Sequence, residues 1–62
     1  MTEAETYARM LHAHGALVLG NRTGAAVILF KAMSAMAQDY EDRTDGNLCE
    51  QAMEVMKHGL DF

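Results

Sequence analysis

Only Lys31 and Ser34 interrupt an otherwise apolar run from Ala25 to Ala37. A chain of 62 residues has little interior in which to place such a segment. Scaling from mass gives a folded surface of roughly 4,000 Å² against roughly 9,900 Å² for the extended chain, so only about 60% leaves water. Domains of that size need a supplement to their core, from disulfides, a metal or association with other chains. Cys49 is the single cysteine, which excludes a disulfide framework. No spacing of Cys, His, Asp and Glu matches a closed zinc site. Association remains, and the run therefore predicts a central helix mostly buried against copies of the same chain or against a partner.

Glycine punctuates the sequence, which has no proline. Thr2-Glu3-Ala4-Glu5 fits a capping box, with the Thr2 hydroxyl on one free N–H and Glu5 reaching back to another. Tyr7, Met10, Leu11, His14, Leu17 and Val18 then recur at helical spacing. Ala13, Ala16 and Gly20 make a second stripe, of small residues that let another backbone approach. Gly20-Asn21-Arg22-Thr23-Gly24 reads as a tight loop, with Thr23 as N-cap of the next helix. That helix presents Val27, Phe30, Met33, Ala37 and Tyr40 on one core face and Ile28, Ala32 and Ala35 on another. A buried strand over 26–30 has the same apolar content, but the alanine- and methionine-rich continuation favours a helix. Asn47 with Glu50 opens a third helix carrying Leu48, Cys49, Ala52, Met53, Val55 and Met56, which Gly59 ends, with Leu60 folding back. The whole chain, 1–62, is read as one all-α domain. Its architecture is a three-helix, hairpin-like unit with helices over about 3–20, 24–43 and 47–58, assembled as a homodimer or higher oligomer.

Chemistry-bearing motifs are scarce. The Arg22 loop joins a glycine turn to a helix start, so Arg22, Thr23 and Gly24 offer backbone N–H groups and charge to a small phosphate- or nucleotide-like anion. The P-loop spacing is missing. His12 and His14 lie two apart and point to different faces, unlike a helical metal pair four apart. Aligned on Gly46, a calcium loop fails at Arg43 and Ala52. No catalytic residue, metal ligand or cofactor is assigned. The interface with a second copy or a partner is expected at Ala25, Ile28, Leu29, Ala32, Met33, Met36, Met53 and Met56.

The formal net charge is −4, and the five Lys and Arg are scattered. Binding to nucleic acid draws on a basic patch, so these charges argue against it. The apolar run falls short of the roughly 20 residues that span a bilayer, and the acidic start is unlike a signal peptide. The sequence thus predicts a soluble, cytoplasmic, non-enzymatic adaptor or regulator acting through protein–protein contacts as a homo-oligomer. Its alternative is an oligomeric binder of a small anion at the Arg22 loop or between subunits.

Overall fold

The computed structural model describes residues 2–59. Three α-helices make up the fold: α1 (Glu3–Leu19), α2 (Thr23–Thr44) and α3 (Leu48–Lys57). No strand occurs among the described residues, so 26–30 belongs to a helix. Leu60 and Phe62, read from the sequence as a docking tail, lie outside the described residues.

Local chemistry sets the helix ends. Thr2 accepts the Glu5 amide at 3.1 Å, and the Glu5 carboxylate takes the Thr2 amide at 3.4 Å, which completes the capping box. At the far end of α1 the Arg22 amide bonds the Leu17 carbonyl at 2.8 Å and the Asn21 amide bonds Val18 at 3.1 Å. That pair is a Schellman closure around a left-handed residue, Asn21, at φ 61°. Glycine-rich though the loop is, asparagine takes the positive φ, because its short polar side chain tolerates that region. The closure also advances α2 by one residue. Arg22 is its N-cap, without a side-chain cap bond, and Thr23, expected as the cap, is the first helical residue. Asp45, at φ 60°, ends α2 with its amide on the Glu41 carbonyl. Asn47 then accepts the Glu50 amide at 3.1 Å and opens α3, which stops where Gly59 turns to φ 86°.

α1, not α2, is the central element: it packs on both other helices, which touch each other least. Tyr7 and Ala8 meet Met33 of α2 and Leu48 and Ala52 of α3 in one buried cluster. Ala4, Leu11, Leu29, Met36, Ala37, Tyr40 and Val55 are half-buried around it. Glu3 and Arg43 tie the start of α1 to the end of α2 by an ion pair.

The expectation of a mostly buried central helix is therefore corrected, since α2 is mostly exposed. Val27 and Phe30, assigned to a core face, stand 53% and 58% exposed. Geometry explains the difference. The molecule measures 34 × 25 × 16 Å. α1 packs on one side of α2 and α3 touches it least, so neither helix covers the outside of α2. Ten residues of α3 extend about 15 Å against about 33 Å for the 22 of α2. Only the stripe toward α1, running through Ala26, Leu29, Met33, Met36, Ala37 and Tyr40, finds cover. Ala13, Ala16 and Gly20 are exposed too, so their stripe admits no second backbone within the chain.

Candidate functional site

The outer side of α2 is left without cover over most of its length. Helical spacing of 3 and 4 places Ile28, Lys31, Ala32, Ala35, Asp39 and Asp42 on one face, and all six are exposed. Ile28 is 72% exposed, a large apolar side chain with no counterpart in its own chain to pack on. Val27 and Phe30 widen the apolar surface around the helix, and Phe30 meets the half-buried His14 of α1 at 6.0 Å between ring centroids. Val18 and Leu19 expose further apolar area at the adjoining end of α1.

The residues expected at an interface divide three ways. Ala25, Ile28 and Ala32 are exposed on α2. Leu29 and Met36 are half-buried against the core, and Met33, 3% exposed, belongs to the core itself. On α3, Met53 and Met56 lie outside with Cys49, forming a second stripe beside the buried one of Leu48, Ala52 and Val55. A lone cysteine on an apolar helix reads as a core residue, yet Cys49 is exposed because α1 covers α3 along only one stripe.

Arg22, Thr23 and Gly24 are all exposed at the start of α2. Helical geometry leaves the amides of residues 23–25 without acceptors inside the helix, whereas the Arg22 amide is already taken by Leu17. They lie outside two clefts on the surface of the described residues. One cleft, of about 440 Å³, lies open between α1 and α3 and mixes Glu5 and Glu54 with Arg9 and His58. The other, of about 620 Å³, is a shallow trough along α3 beside Met53. Among the described residues no three His, Cys, Asp or Glu side chains are grouped closely enough to hold a metal ion.

The acid-rich end of α2 is knitted within itself. Arg43 donates to Asp39 at 2.9 Å and to Glu3, and Gln38 donates to Asp42 at 3.0 Å. The bond that Arg43 donates to the Glu3 carboxylate, and after it the one to Asp39, hold the guanidinium above its ordinary pKa. Burial pushes the Tyr7 phenol up as well, with a nearby Cys49 thiolate adding to the effect.

No helix among the described residues is long and apolar enough to cross a membrane. No protein family, no curated protein and no solved structure matches this chain.

Proposed function

We propose that this chain is a small, non-enzymatic helical adaptor or regulator that works by docking apolar helix surface against protein, its own copies included. One observation carries the reading: Val27, Ile28 and Phe30 of α2 stand 53%, 72% and 58% exposed, with Val27 between the other two around the helix. Single exposed apolar residues are ordinary, but three large ones within about one turn leave apolar area over much of the helix's outside, which marks an interaction surface. The bordering Leu29 and Met36 extend it toward the core, and methionine adapts readily to a partner's shape. A reducing compartment such as the cytoplasm suits the exposed Cys49 thiol, which would cross-link under oxidising conditions.

The test compares native mass spectra and light scattering of the full chain with those of Ile28→Glu, at concentrations from micromolar to millimolar. Wild type is expected to exceed the mass of one chain at the upper end, and the variant to stay at one chain with unchanged helicity. A wild type that remains a single chain throughout would refute the reading.

A further inference from the structure

We propose that the outer face of α2 receives a second copy of itself, in antiparallel orientation, about a two-fold axis near the middle of the helix. This rests on the reading above and names its occupant and geometry.

The first argument is the arrangement of charge. The N-terminal half of α2, from Arg22 to Lys31, holds two positive side chains and no carboxylate. Its C-terminal end, from Asp39 to Asp45, holds four carboxylates and one arginine. This pattern runs against the helix's own macrodipole, which favours acids at the start and bases at the end. The first turn of α2 has no acidic residue, and its Arg22 N-cap makes no side-chain cap bond. An antiparallel copy corrects the mismatch twice, by laying its acidic end beside the basic start of the other. A parallel copy sets like against like. Complementarity of this kind fixes orientation more than it adds affinity.

The second argument is fit. With the axis between Ala32 and Ala35, the exposed side chains at the crossing are small, so the two helices approach closely. About that axis position 31 of one copy comes opposite 36 of the other and position 28 opposite 39, so Lys31 of each copy lies within about one turn of Asp39 of the other.

The expected species is a dimer that dissociates on dilution.

Sedimentation equilibrium of the full chain tests this with Lys31→Glu, Asp39→Lys and the double variant. Both side chains are exposed, and far-ultraviolet circular dichroism of each variant checks that its helicity is unchanged. Each single variant is expected to raise the dimer dissociation constant roughly tenfold at low salt, through two reversed contacts, with the effect fading at about 1 M salt. The double variant should restore the wild-type value. If neither single variant changes the constant while Ile28→Glu still dissociates the assembly, the antiparallel pairing is overturned and the wider reading stands. A wild type that never dimerises overturns both.

Discussion

Leu48 and Met53 are both apolar residues of a ten-residue helix, and the structure assigns them opposite weights. Leu48 is 1% exposed, the largest fully buried side chain of the molecule, whereas Met53 is 61% exposed. Truncating Leu48 to Ala removes about 2–2.5 kcal/mol of transfer energy, and the cavity left behind raises the cost to about 3–4 kcal/mol. At the usual 0.05–0.15 kcal/mol per residue, a chain of this length holds about 3–9 kcal/mol in all. Leu48→Ala therefore removes between a third and the whole of the stability. In a domain this small, each kcal/mol shifts the melting temperature by about 4–8 °C, so a fall of at least 12 °C is expected. Met53→Ala, away from the core, should stay within about 0.5 kcal/mol. Thermal unfolding followed by far-ultraviolet circular dichroism at low micromolar concentration measures both, and keeps self-association out of the comparison. Equal shifts for the two variants would refute the docking of α3 on α1 through Leu48 and Ala52.

Two further outcomes follow from local chemistry. Tyr7 has its pKa raised above the ordinary value of 10.0, first by burial and then by Cys49. The folded state thus holds this proton more tightly than the unfolded one, so its contribution is intact below pH 10 and is lost as pH climbs through the raised value. Tyr7→Phe should flatten the alkaline fall in stability, and an unchanged alkaline titration of unfolding would count against the assignment. Asn21 holds a left-handed conformation at φ 61°, so Asn21→Gly should raise stability by about 0.5 kcal/mol and Asn21→Ala lower it by about 1 kcal/mol. Denaturant midpoints that moved the other way would show that the Schellman closure is not what holds the loop.

The helices were legible in the sequence because their signals are local. Thr2 with Glu5, Asn47 with Glu50 and Gly59 each act within one turn, and each appears where the residues place it. The inner stripe of α2 was only half legible. In the run Ala25–Ala37 only Lys31 and Ser34 mark a polar side, too narrow a stripe to choose one inner face, so the helical period allows several buried sides. Met33, Ala37 and Tyr40 took the inner one, and Val27 and Phe30 did not. That choice depends on where α1 lies and how short α3 is, facts held by tertiary packing and not by the segment itself. The shift of the N-cap from Thr23 to Arg22 has a similar origin, since the closure of α1 takes up the loop's amides before α2 begins. The charge polarity of α2 was readable throughout, but it gains meaning only once that helix is known to be bare on one side.

The clustering of Tyr7 and Ala8 with Leu48 and Ala52 has a consequence for synthesis. At about 5–20 residues per second, the ribosome takes some seconds to travel from the first pair to the second. Small helical domains complete folding in microseconds to milliseconds, so α1 waits for Leu48 far longer than folding itself takes. Until then the side of α1 that α3 covers lacks its cover, and once α2 is made Ile28 and Phe30 add to the exposed apolar surface. A nascent chain in this state presents apolar surface on two sides, where the finished one presents it chiefly on α2. Its most vulnerable moment, to aggregation or to capture by a chaperone, therefore falls just before Leu48 clears the exit tunnel.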